Sequence, residues 1–181
     1  MTFRQTVRFA FVALVSLFHP GCVKTPALKA PEVVSHVDLS RYVGKWYDIG
    51  HLPFRYQRNC YGTTATYAAR LDGKISVVNQ CRKGSLEGKE NRADGIAKVV
   101  DPVTNAKLKV SFFGPFYGDY WILELDPEYR WAVVGTPNYK YLWILSRTPA
   151  LPEGVFAPLV KRFGDKGFDV SRLEITQQRV D

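Results

Sequence analysis

Cysteine, histidine and long apolar runs are all scarce in this chain of 181 residues, and each scarcity excludes something. The three histidines, His19, His36 and His51, are scattered with no second ligand type at metal spacing, so they read as ordinary leader, surface or loop residues rather than a metal centre. No Gly-x-Ser-x-Gly elbow, glycine-rich phosphate loop or Cys-x-x-Cys pair is present, and the acids fall mostly in turns (Asp72, Asp101, Asp126, Glu128, Asp165). No nucleophile, carboxylate pair or cofactor can therefore be nominated from a motif. The formal net charge is +8, yet there is no Lys/Arg run, which argues against a nucleic-acid partner. The apolar run at 9–18 is too short to span a bilayer, which takes about 20 residues. No helical periodicity occurs between the first short turn and Pro149.

What is present suits one folded domain. Apolar residues make up 46% and aromatics 14%, ample for a core and incompatible with global disorder. Residues 1–21 have the parts of an export signal: Arg4 and Arg8, the apolar run, then Pro20-Gly21 ahead of Cys22. Loss of those two arginines takes the cations from 25 to 23 against 17 acids, a net charge of +6. These cations are spread over turns and strand faces, a solvated surface with at most weak attraction for anionic lipid headgroups. Segment 24–32 carries Pro26 and Pro31 without periodicity and reads as a tether.

From 45 onward short strands alternate with turn signals. Strands are expected at 45–52, 61–70, 74–81, 91–100, through Leu108, Val110 and Phe112, and at 119–125, 131–136 and 141–147. Asp72-Gly73 marks a two-residue hairpin loop, which would set Cys81 opposite Thr64. The last three strands are apolar on both faces and need an outer cover. A helix opening at Leu151-Pro152-Glu153 and running to about Phe163 supplies it, with Val155, Phe156, Leu159, Val160 and Phe163 on one stripe. A short strand at 173–176 follows.

Two stretches organise the rest. In Tyr42-Val43-Gly44-Lys45-Trp46 a glycine admits close approach ahead of a large indole, and Tyr141-Leu142-Trp143-Ile144-Leu145-Ser146-Arg147 ends a strand in a cation able to cover that ring. Together with Lys109-Val110-Ser111-Phe112-Phe113-Gly114-Pro115-Phe116-Tyr117-Gly118 they resemble the lipocalin family, in its bacterial outer-membrane lipoprotein branch, over about 37–177. The resemblance implies an all-β fold: an eight-stranded antiparallel up-and-down barrel, one C-terminal α-helix packed outside and a short final strand. It divides the chain into a lipoprotein signal peptide (1–21), a tether after a lipidated Cys22 (22–36) and a lipocalin domain (37–181). His19 and Pro20 stand where the usual lipobox has a branched and a small residue.

The implied function is binding of a small hydrophobic ligand, a fatty acid or lysophospholipid, by a protein anchored in the outer membrane. A homodimer is neither required nor excluded. Gly44, Trp46 and Arg147 form the structural motif at the closed end. Export favours a Cys60–Cys81 disulfide, given a bulge to correct the register. Strand alternation nominates Tyr67, Ala69, Ala93, Ala97, Leu108, Val110 and Phe112 as inward-facing, with either Tyr120 and Ile122 or Trp121 and Leu123. That set is nearly uncharged, so a headgroup belongs at the mouth with Arg55, Arg58 and Tyr56. Two other readings stay open: an enzyme of this fold using Cys60 or a cavity tyrosine, and an envelope protein whose barrel is filled.

Overall fold

The computed structural model describes residues 29–179. Cys22 and the expected signal segment lie outside them.

Asp38 caps a single helical turn, α1 (Leu39–Tyr42), by accepting from the Ser40 amide at 2.9 Å. The chain then runs β1 (Gly44–His51), β2 (Cys60–Ala69), β3 (Ile75–Lys83), β4 (Glu90–Val99), β5 (Lys107–Phe113), β6 (Phe116–Leu125), β7 (Trp131–Gly135) and β8 (Leu142–Ser146). Each strand pairs antiparallel with the next, and β1 pairs with both β8 and β2, which closes the ring. Helix α2 (Phe156–Asp165) lies outside, and β9 (Glu174–Ile175) adds to the far half of β1. This is the expected eight-stranded up-and-down barrel with its outer helix and short final strand.

Where β1 and β2 part, the C-terminal segment fills the seam. The Gly62 amide donates to the Gln177 carbonyl at 2.8 Å, and the Gln178 side chain donates to the carbonyls of Asp48 and Thr63 at 2.7 and 2.9 Å. Buried backbone groups that would otherwise lack partners are thus satisfied.

Two local expectations need correction. The β2–β3 loop has three residues, not two: Arg70 and Lys74 pair around Leu71-Asp72-Gly73, with Gly73 at φ +74°, so Thr64 faces Gln80. A register shift between Tyr61 and Thr64 then brings the Cα atoms of Cys60 and Cys81 to 5.4 Å, and the two are disulfide-bonded. The outer helix begins at Phe156 rather than Leu151, because Gly154 at φ +75° interrupts the helical path. It ends where the amides of Phe168 and Gly167 bond back to the carbonyls of Phe163 and Gly164, with the Phe163 and Phe168 rings 5.8 Å apart.

Alternation sorts the apolar residues into two cores. Ile49, Leu123, Val133, Leu142 and Ile144 point outward and are covered by Leu159 and Phe163 of α2 and by Phe168. Trp46, Tyr67, Val77, Leu108, Ile122, Val134 and Leu145 point into the barrel. On β6, therefore, Tyr120 and Ile122 face in, and Trp121 and Leu123 face the helix.

Candidate functional site

The barrel has a packed base. Trp46 is 0% exposed, and its indole N–H donates to the Tyr42 carbonyl at 2.8 Å. The Arg147 guanidinium lies 3.8 Å above the ring and donates to the carbonyls of Arg41, Tyr42, Lys45 and Tyr129. Burial depresses the Arg147 pKa. Gly44 adopts φ +99°, and a β-carbon there would stand 3.2 Å from that guanidinium, so both conformation and space call for glycine.

Above the indole, the hydroxyls of Tyr42 and Tyr67 both meet that of Tyr120, at 2.8 and 2.9 Å. Burial pushes the Tyr67 phenol up to about 12 and, with the neighbouring tyrosines, raises Tyr42 and Tyr120 well above the ordinary value. The three remain neutral and bond to one another. Ala97 (1% exposed) and Leu108 are packed into this same region.

Toward the mouth the inner wall changes character. Ala93, Val110, Phe112, Tyr120 and Trp143 are only half-buried although they face inward, so solvent reaches this part of the interior. The small face of β4 is not wholly vacant: a β-carbon at Gly95 would stand 2.7 Å from the Phe112 ring, which occupies that position. Ala69 does not belong to the wall. It has the right parity, but it lies two residues beyond Tyr67, the last β2 partner of β1, and is exposed past the closed end.

A lid crosses the mouth. The loop after β1 holds a 3-10 turn, Arg55–Gln57, and the Tyr56 ring lies 6.3 Å from Phe113 on β5, the strand diametrically opposite β1. Phe54 packs edge-on against Tyr141 and Trp143 at 5.1 and 5.5 Å. Below it Gln57 uses both ends of its amide, donating to Asp48 Oδ2 at 2.7 Å and accepting from the Trp143 indole at 2.7 Å.

Asp48 corrects the expectation of a nearly uncharged interior. It is 3% exposed, faces His51 Nδ1 at 2.9 Å, and its Oδ1 has no hydrogen-bond partner among the described residues. Burial alone would lower the His51 pKa, but the Asp48 hydrogen bond and the charges of Asp48 and Glu174 outweigh it and raise it. Alternation from Trp46 was the available pointer to Asp48. Nothing in the sequence pointed to Gln57.

Arg55 and Arg58 are exposed on the lid and line no part of the inner wall. They border a separate pocket of about 640 Å³ on the barrel's outer side. Cys60, held in its disulfide, offers no thiolate to the chamber.

A lipocalin-like domain model matches residues 37–178. The chain belongs to the lipocalin family. It is 41% identical to an outer membrane lipoprotein Blc from Vibrio cholerae, over 96% of this chain and 100% of that one. The Escherichia coli K12 protein of the same name is 42% identical over 87% and 89% of the two chains. Temperature-induced lipocalin-1 of Arabidopsis thaliana is 40% identical over 83% and 84%. Among solved structures, insecticyanin from Manduca sexta matches with a TM-score of 0.66 at 23% identity, over 82% and 85%, and supports the fold alone. This lipocalin's chamber is thus of the kind that holds small hydrophobic ligands.

Proposed function

We propose that this lipocalin is exported, acylated on Cys22 and held at the periplasmic face of the outer membrane, where its chamber takes up the acyl chains of fatty acids or lysophospholipids. The observation that carries the reading is the half-buried apolar wall of Ala93, Val110, Phe112 and Trp143 between a filled base and a lid. An acyl chain laid there leaves water at about 0.8 kcal/mol per CH₂. Asp48 favours tail-first entry, since an anionic head would meet an acid with one oxygen already unpartnered. The head then stays at the lid. The names of the Vibrio and Escherichia relatives support the membrane assignment.

The test is to purify a Cys22→Ser form without detergent, extract it with organic solvent and analyse the extract by mass spectrometry. Fatty acids or lysophospholipids in amounts comparable to the protein are expected. A clean extract, with no uptake on adding such lipids back, would leave the barrel a filled structural element.

A further inference from the structure

Among the described residues, arginine side chains almost always find a carboxylate or a backbone carbonyl. Arg70, Arg82, Arg92, Arg130, Arg162 and Arg179 meet carboxylates. Arg41 and Arg147 donate to carbonyls. The three with neither are Arg55 and Arg58, on the loop after β1, and Arg172, beyond α2, and all border the same outer pocket of about 640 Å³. Lys140 joins them there.

The pocket is built rather than incidental. Its floor includes Leu52, Phe54, Tyr139 and Tyr141, and those rings are fixed: Phe54 against Tyr141 at 5.1 Å, Tyr139 against Phe168 at 4.9 Å. Lys140 lies 5.2 Å from the Tyr141 centroid and Arg55 4.4 Å from that of Tyr56, so the aromatic faces help to position the cations. Two acids border the space. Asp169 accepts from the Ser171 hydroxyl at 2.5 Å, and Glu174 lies 3.6 Å from His51 Nε2. Four cations over an aromatic floor thus outnumber the two carboxylates.

We propose that this pocket seats the phosphate of an anionic membrane phospholipid. Guanidinium forks match a phosphate bearing several oxygens, and the aromatic floor suits the glycerol and first methylenes behind it. The N-terminal segment favours a leaflet lipid over a free one. Tyr139, on the pocket wall, donates to the Lys29 carbonyl at 2.6 Å, so the segment leading back toward Cys22 leaves the described structure beside the pocket. Seven residues reach at most about 25 Å, so acylation of Cys22 would hold the pocket at the bilayer surface. The proposal does not depend on what the chamber holds.

The test uses the chain from residue 22 onward carrying Cys22→Ser, so that neither the leader nor an acyl anchor contributes, with phosphatidylcholine vesicles with and without phosphatidylglycerol. Binding only when phosphatidylglycerol is present is expected. Replacing Arg55, Arg58 and Arg172 by Glu should weaken it about a hundred-fold, roughly five-fold for each arginine removed. A control with the same charge change at other sites, Arg70→Glu, Lys74→Glu and Lys98→Glu, should weaken it far less. Ala93→Trp, which obstructs the chamber, should bind the vesicles as wild type does. The single Arg172→Glu form, altered outside the lid, provides the same reading should the triple variant misfold. Equal losses in the pocket and control variants would reduce the effect to net charge and overturn the proposal. So would binding of a soluble short-chain phosphatidylglycerol without binding of vesicles.

Discussion

The two ends of this barrel use the same strands for opposite purposes. At the base every inward side chain has neighbours: Trp46 lies between the Tyr42 carbonyl and the Arg147 guanidinium, and three tyrosine hydroxyls satisfy one another. At the mouth the same alternation leaves Ala93, Val110 and Phe112 half-buried, and Asp48, Thr63 and Asn79 each keep a buried oxygen without a partner among the described residues. Burial at one end supplies stability that the other end forgoes to keep space and polar groups for a ligand. Substitutions at the base should therefore change melting, and those in the chamber should change binding.

The largest effect should come from the base. Trp46→Ala leaves a large void and strands Arg147 above it, and should cost about 3–5 kcal/mol in chemical denaturation. Unaltered melting with lost ligand affinity would place Trp46 in the binding site instead. Next is the disulfide, with its sequence separation of 21. Cys60→Ser should cost about 3 kcal/mol by loop-closure entropy without abolishing lipid uptake. A reactive thiol in the unreduced wild-type protein would revive the enzyme reading. Smaller still is the lid: Gln57→Ala unpairs the Trp143 indole and removes a donor from Asp48, costing about 1–3 kcal/mol. Ligand exchange in stopped flow should become faster, and an unchanged rate would deny the loop a gating role.

The smallest expected effect is on pH. The folded-state pKa of His51 is raised above 6.5, so its contribution is complete below 6.5 and is lost as pH rises through the folded value. The melting temperature should fall across that interval, and His51→Gln should remove the step. A step of the same size in the variant would assign it to another group.

How much was legible depended on whether a residue's position followed from period or from depth. Period alone was enough for β5, where Leu108, Val110 and Phe112 alternate with polar residues, and for the stripe Val155, Phe156, Leu159, Val160 and Phe163 that covers the outer core. It could not orient β6, whose faces are both apolar because one meets the chamber and the other meets α2. Depth was not legible from alternation. Ala69 and Tyr67 have the same parity, yet one is exposed beyond the base and the other buried, because strand stagger is set by closure of the ring. The helix start was missed for a local reason, the positive φ of Gly154, and the part Gln57 plays in the lid because a loop residue has no periodicity to place it.

The most direct test of the division between base and mouth is a titration of the delipidated Cys22→Ser protein with a fluorescent fatty acid, beside the same protein carrying Ala93→Trp. Ala93 is preferable to Ala97, which is already packed into the base and would confuse binding with folding. The account predicts saturable binding by the parent, binding at least about ten-fold weaker by the variant, and melting temperatures that differ little. Equal binding by both proteins, or none by the parent, would contradict it.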